Sequence, residues 1–80
     1  MENDEFFIKQ HTILSHAIQL VTNEYPEKFW SAEKINGSIN KNTIIVTGDL
    51  DIFQSEVYEK PIEFKGKKEN YKIILKPLPC

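Results

Sequence analysis

The feature that most constrains the fold is an apolar stripe near the N-terminus. Its residues follow a 4-3-4-3-4 spacing, which places them on one face of an α-helix. The stripe consists of Phe7, His11, Leu14, Ile18, Val21 and Tyr25. Asn3 is suited to cap the helix N-terminus, and Pro26 disfavours helical geometry at the residue before it. The sequence therefore predicts a helix over about residues 4–24.

A second apolar line flanks this stripe and widens the apolar face of the helix. It consists of Phe6, Ile13, Ala17 and Leu20. With both lines the apolar arc covers about half the circumference, whereas a helix that lies on a sheet needs roughly 100°. The surplus predicts a second contact, either with the aromatic segment that follows the helix or with another protein chain.

The segment 25–34 connects the helix to the rest of the chain and is rich in aromatic residues. Its first half, Tyr25 to Trp30, is compatible with a loop or with a short helical turn that begins at Pro26. We expect Trp30 to fill the core. Aromatic side chains also often carry binding energy, so this segment joins the second helix line as a candidate protein-interaction surface. The candidate residues are Phe6, Ile13, Ala17, Leu20, Tyr25, Phe29 and Trp30.

From residue 35 onward, helical spacing gives way to alternation and β-branched runs, which are typical of strands. Asn40-Lys41-Asn42 is a polar turn, and Gly48-Asp49 is suited to a tight hairpin turn. The predicted strands cover about residues 35–39, 43–47, 50–58, 62–65 and 71–76. The sequence thus predicts one α+β domain over residues 1–80, in which the N-terminal amphipathic helix packs on an antiparallel meander of four to five strands.

Length and composition limit what such a domain does. The chain has 80 residues, and a core of this size seldom gives more than about 3–5 kcal/mol of stability without a disulfide, a metal or a partner subunit. A homo-oligomer is therefore a reasonable expectation. The one cysteine, Cys80, cannot form an intrachain disulfide. An acidic N-terminus and the lack of a long apolar run lead us to expect a cytoplasmic protein that is neither exported nor membrane-bound.

The charged residues are unusual in type and in placement. All ten basic residues are lysine, which excludes mechanisms that need an arginine clamp within this chain. The abundance of Ile, Asn and Lys is typical of an AT-rich genome, and a bacterial or phage source fits it. Residues 1–59 carry ten acids and four lysines, a formal charge of −6, whereas residues 60–80 carry six lysines and two acids, a charge of +4.

The basic C-terminal segment supports an alternative function, because lysines contact phosphates and aromatic rings stack on bases. The candidate nucleic-acid-binding residues are Lys65, Lys67, Lys68, Tyr71 and Lys72. Against this reading stand the net charge of −2 and the absence of arginine. Lysines also commonly protect the edge of a sheet from pairing with other chains. We therefore rank edge protection above nucleic-acid binding.

No group of residues in the sequence indicates catalysis, a metal site or a cofactor. His11 and His16 lie about 140° apart around the helix, so they cannot share one metal ion. Asp49 and Asp51 are alternate residues that could face a cation together, but no glycine-bearing calcium loop surrounds them. The sequence predicts a small non-enzymatic domain that binds a protein partner or a second copy of itself, with nucleic-acid binding as the alternative.

Overall fold

The computed structural model describes the backbone of residues 2–30 and 34–77, and the side chains within those ranges from residue 5 onward. Within these ranges lie one long helix, one turn of 3-10 helix directly after it, and four strands. The elements are α1 (Glu2–Glu24), the 3-10 turn (Pro26–Lys28), β1 (Ile35–Asn40), β2 (Thr43–Gly48), β3 (Glu56–Phe64) and β4 (Lys67–Leu75). The predicted α+β class, with one helix packed on a sheet, is confirmed.

Helix α1 begins at Glu2, so the predicted cap position Asn3 lies inside the helix. Its line of closest contact with the sheet is formed by Ile13, Ala17 and Val21, all of which are buried. This line takes two residues from the second predicted line and one from the first. The middle of the apolar arc, between the two lines, therefore faces the sheet, and each line contributes a half-buried flank.

The four strands form one mixed sheet in the order β1-β2-β4-β3. Strands β1 and β2 form an antiparallel hairpin, as do β3 and β4, while β2 and β4 lie side by side and parallel. The prediction of an antiparallel meander is wrong at this point. Instead of following β2 directly, β3 lies at the far edge of the sheet, and β4 returns between them.

After Gly48 the chain leaves the sheet, and its backbone forms hydrogen bonds with the segment that follows the helix. The amide of Trp30 donates to the carbonyl of Asp49 (2.9 Å), and the amide of Asp51 donates to the carbonyl of Lys28 (2.7 Å). The segment after the helix thus pairs with the segment after β2. The predicted tight turn at Gly48-Asp49 does not form, and the strand predicted from residue 50 begins only at Glu56.

Strand β3 runs without a break through Pro61, where the sequence suggested an interruption. A proline is tolerated there because β3 is an edge strand, and alternate N–H groups of an edge strand point away from the sheet. The predicted strand 62–65 and the end of the predicted strand 50–58 are therefore one strand. Its hairpin partner β4 begins at Lys67, four residues before the predicted start, since the turn between them is only Lys65-Gly66.

The core lies between α1 and one face of the sheet. Its centre comes from the two parallel central strands, where Ile44 and Val46 of β2 and Ile73 and Leu75 of β4 are fully buried. The opposite face of the sheet is not covered by any described element. Its central row across β2, β4 and β3 consists of Ile45, Ile74 and Val57. The domain is thus a two-layer structure with one open sheet face.

Candidate protein-binding surface

The first turns of α1 expose three consecutive large apolar side chains. Phe6, Phe7 and Ile8 are 57%, 65% and 59% exposed, and we call these three residues the N-terminal apolar patch. The rings of Phe6 and Phe7 contact each other edge to face, with centroids 6.2 Å apart. Consecutive helical residues point about 100° apart, so three in a row cannot all face one sheet. The patch is apolar over more than half of the helix circumference.

A shallow groove of about 460 Å³ lies next to the patch, where α1 passes over the end of the β1–β2 hairpin. Phe6, Ile13, Ile39 and Tyr71 give it an apolar floor. Its polar rim consists of Lys9, Gln10, Asn40, Lys41, Asn42 and Glu69. The ammonium of Lys9 lies 4.0 Å from a carboxylate oxygen of Glu69 at this rim. An apolar floor with a polar rim is the composition expected where a partner buries side chains.

The predicted interaction residues differ in exposure: some are buried, some are half-buried and some are exposed. Ala17 is fully buried against the sheet and so is not available to a partner of the folded domain, whereas Ile13 is 2% exposed and offers only the small part that lines the groove. Leu20 is half-buried on the core. Phe29 is also half-buried on the core. Trp30 is 71% exposed, so the expectation that it fills the core is wrong. Of the four helix residues in the set, only Phe6 lies on an exposed surface.

Tyr25 belongs to a cluster at the opposite end of the domain from the patch. Its ring stacks on that of Tyr58 of β3, with centroids 4.4 Å apart. The Tyr58 hydroxyl donates a hydrogen bond to Glu56, whose other carboxylate oxygen accepts one from Lys28 at 3.0 Å. This tyrosine–glutamate cluster, made of Tyr25, Lys28, Glu56 and Tyr58, ties the 3-10 turn to the start of β3.

The cluster perturbs the ionisation of two of its members. The hydrogen bonds from Tyr58 and then Lys28 lower the pKa of Glu56, because both favour the charged carboxylate. The same carboxylate, together with burial, raises the pKa of Tyr58 to about 12. A phenol with a raised pKa is a poorer base and nucleophile at neutral pH, so this arrangement suits structural support better than catalysis.

The candidate nucleic-acid residues do not form one surface. Tyr71 is 4% exposed, and its ring is part of the core, so it cannot stack on a base. On the open face of the sheet, Lys72 lies opposite Glu59 and Lys68 lies opposite Glu63 in the β3–β4 register. Opposite charges at such cross-strand positions attract each other.

The remaining two lysines of that set lie near the tip of the β3–β4 hairpin, where the structure also places acids or rings beside them. The ammonium of Lys65 is 4.0 Å from a carboxylate oxygen of Glu5 and 5.6 Å from the centre of the Phe64 ring. Lys67 is exposed and lies opposite Phe64. Lys67 and Lys68 are neighbours on an extended strand and so point to opposite faces, and these lysines of the described hairpin do not form one continuous track for phosphates.

The side chains considered for catalysis or metal binding are scattered. His11 and His16 are exposed on α1, and Asp51 is exposed while Asp49 is half-buried. In the described ranges 2–30 and 34–77, no three His, Cys, Asp or Glu side chains come together as metal ligands would. Cys80 lies outside the described residues. Within those ranges, no helix has both the length and the apolar character needed to cross a membrane.

Two features of the structure, one in the N-terminal apolar patch and one in the tyrosine–glutamate cluster, were not predicted from the sequence. Phe7 was assigned to the buried stripe and Ile8 to neither line, although the run Phe6-Phe7-Ile8 already required that some large apolar side chain face away from the sheet. The pairing of Glu56 with Lys28 joins residues 28 positions apart, and local spacing gives no sign of it.

Comparison with known proteins gives no family for the chain: no family model, no curated protein and no solved structure matches it.

Proposed function

We propose that this chain is a small non-enzymatic protein-interaction domain that binds another polypeptide through the N-terminal apolar patch. The observation that carries the proposal is the exposure of Phe6, Phe7 and Ile8, each more than half accessible to solvent. Single exposed apolar residues are normal on soluble proteins, whereas contiguous ones mark interaction sites. Aromatic residues are also the ones that most often anchor a partner.

The surroundings of the patch support this function. The groove beside Phe6 offers a partner an apolar floor that is already formed, and Lys9, Glu5 and Lys65 supply charges of both signs near the patch. A charged rim around an apolar centre contributes to partner choice and orientation more than to affinity. The helix that carries the patch packs on the sheet through Ile13 and Ala17, both of which are buried.

Site-specific cross-linking tests the proposal. A photoreactive phenylalanine analogue at position 7 is expected to capture a discrete set of host polypeptides, whereas the same analogue at the exposed polar position Gln19 is expected not to capture them. Partner identity then follows from mass spectrometry of the cross-linked product. Capture at both positions alike would contradict a specific surface.

A pair of matched variants separates binding from folding. Phe7→Ser with Ile8→Ser removes most of the patch, and His16→Ser with Gln19→Ser makes the same number of serine substitutions at exposed polar positions of the same helix. Both variants are expected to melt within a few degrees of each other, because neither removes a buried side chain. Only the first is expected to lose the partner. If it melts far below its control, the two residues serve the core and the proposal fails.

A further inference from the structure

The two edges of the sheet differ in how they are protected. Edge strand β3 carries the proline Pro61 and the charged residues Glu59, Lys60 and Glu63, which are the devices by which proteins prevent edge-to-edge pairing. Edge strand β1 has the sequence Ile-Asn-Gly-Ser-Ile-Asn, without a charge or a proline. Within the described residues, β1 pairs only with β2. Among the described residues, no backbone group bonds to its outer row of donors and acceptors, which is the row that another strand would pair with.

The register of the β1–β2 hairpin identifies the residues of that outer row. The amide of Asp49 donates to the carbonyl of Lys34, and these residues continue the pairing in which Ile35 lies opposite Gly48. Hydrogen-bonded and non-hydrogen-bonded pairs alternate along an antiparallel ladder. Even-numbered residues of β1 thus bond to β2, and Ile35, Gly37 and Ile39 direct their backbone groups outward.

We propose that β1 is a self-association edge, through which a second copy of this chain adds its own β1 in antiparallel orientation around a two-fold axis beside Gly37. The pairing gives one continuous eight-stranded sheet. Gly37 then lies opposite Gly37 of the second copy, and Ile35 lies opposite Ile39, so all the outward groups of the three residues are used. The two-fold axis is perpendicular to the sheet, and both helices therefore lie on the same side.

The side chains on both faces fit this pairing. On the helix face, Ile35 and Ile39 are half-buried in one copy and meet their counterparts in the dimer. On the open face, Asn36 lies opposite Ser38, so no like charges are brought together within the strand. Two-fold dimers are the commonest homo-oligomers, and in them one self-complementary surface serves both copies, as β1 does here.

The absence of a side chain at Gly37 brings the helix close to this edge. A Cβ placed there would lie 2.9 Å from Cδ1 of Leu14 and 3.2 Å from Cδ1 of Ile18, so both side chains lie directly over the strand. Opposed residues of a hydrogen-bonded antiparallel pair have Cα atoms about 5.5 Å apart. Pairing at Gly37 therefore brings the half-buried Leu14 and Ile18 of the two copies together and buries them further.

Charge substitutions on the open face test the pairing, because Asn36 and Ser38 are exposed and their side chains are not needed by the monomer. In Asn36→Lys with Ser38→Lys, lysines oppose each other twice across the axis, and the Kd of the dimer is expected to rise by about tenfold or more. In Asn36→Glu with Ser38→Lys, each lysine opposes a glutamate, and the dimer is expected to be at least as tight as the wild type.

Two controls make the result specific. Gln19→Lys with Gln54→Lys adds the same two charges at exposed positions away from β1 and is expected to leave the Kd unchanged. The glutamate–lysine variant also tests the register: with the axis at Ser38, its lysine would oppose itself and the dimer would weaken.

The measurement is sedimentation equilibrium of the intact chain over a concentration series, with far-ultraviolet circular dichroism to verify folding. A wild type that stays monomeric up to about 1 mM, an affinity too weak for a specific contact, would overturn the proposal. The proposal would also be overturned if the dimer of the Asn36→Lys/Ser38→Lys variant, the dilysine variant, had the same Kd as the wild-type dimer.

Discussion

Gly48, the last residue of β2, has a backbone conformation and a close approach to the backbone of Lys34 that only glycine allows. Its φ is +137°, in the region that L-residues rarely adopt. A Cβ added there would lie 2.0 Å from the carbonyl oxygen of Lys34, where real Cβ contacts stay above 3.0 Å. Gly48→Ala therefore requires the backbone of the two strands to separate by about 1 Å, given these two distances. That movement would lengthen or break the hydrogen bond that the Asp49 amide donates to the carbonyl of Lys34, which is already 3.3 Å long.

The expected cost follows from these two effects. A residue held in a sparsely populated backbone region costs about 1–3 kcal/mol, and loss of one hydrogen bond costs about 0.5–1.5 kcal/mol. The free energy of unfolding should fall by about 2–4 kcal/mol, which is most of what a core of this size supplies. Gly66 is the matched control: its φ is +80°, but nothing lies within 4 Å of an added Cβ. Gly66→Ala should cost only about 1 kcal/mol.

Urea denaturation followed by circular dichroism measures both variants. For a domain this small, the slope of free energy against urea is about 1 kcal/mol per molar, so the midpoint should fall by about 1 M for Gly66→Ala and 2–4 M for Gly48→Ala. All samples are compared at one low protein concentration, because self-association would add concentration-dependent stability. Equal midpoints for the two variants would refute the claim that close approach at Gly48 fixes the end of β2.

Three further outcomes are expected. Ile73→Ala removes a fully buried side chain from a central strand, and the free energy of unfolding should fall by about 2–5 kcal/mol in the same urea denaturation. The lowered pKa of Glu56 contributes stability at pH values above its ordinary pKa of 4.5, and this stability is lost as the pH falls through the pKa of the folded state. Glu56→Gln should therefore make the stability less dependent on pH on the acid side. In an ultraviolet titration, the same variant should return the pKa of Tyr58 from about 12 toward 10. The emission maximum of Trp30, which is 71% exposed, should shift little on unfolding; a large red shift would place this side chain in the core.

Local patterns were enough to place the helix and the first hairpin. The predicted strands 35–39 and 43–47 correspond to β1 and β2 to within one residue, since both are bounded by turn residues and carry β-branched or alternating side chains. The strand order could not be read in the same way, because β2 and β4 are neighbours in the sheet although a loop and strand β3 separate them in the sequence. One signal was nevertheless present: Ile44-Ile45-Val46 and Ile73-Ile74-Leu75 are apolar on both faces, as central strands are. Two central strands of a four-stranded sheet must be neighbours.

The aromatic residues after the helix show what local sequence patterns could not predict about the candidate surface. An aromatic residue after a helix is as compatible with the core as with the surface, and what decided Trp30 was the backbone pairing of its amide with Asp49, a contact between two loops. Phe29, one position earlier, pairs with Leu50 and turns its ring to the core. Neighbouring residues of an extended segment point to opposite sides, so one inward ring forces the other outward.

The two proposed surfaces have a geometric relation that the fold determines. The groove beside the patch is lined by Phe6 of the patch and by Ile39 and Asn40 at the end of β1, so the Phe6 side of the patch lies near the end of β1. Antiparallel pairing of two β1 strands places those ends on opposite sides of the dimer axis. A dimer therefore presents two patches on one side of the sheet, far apart, and a partner with two matching sites binds it with avidity. The dilysine variant of β1 should then bind a partner that has one site as tightly as the wild type does, and a partner that has two sites more weakly. If the variant binds neither partner, the binding site is the β1 edge itself.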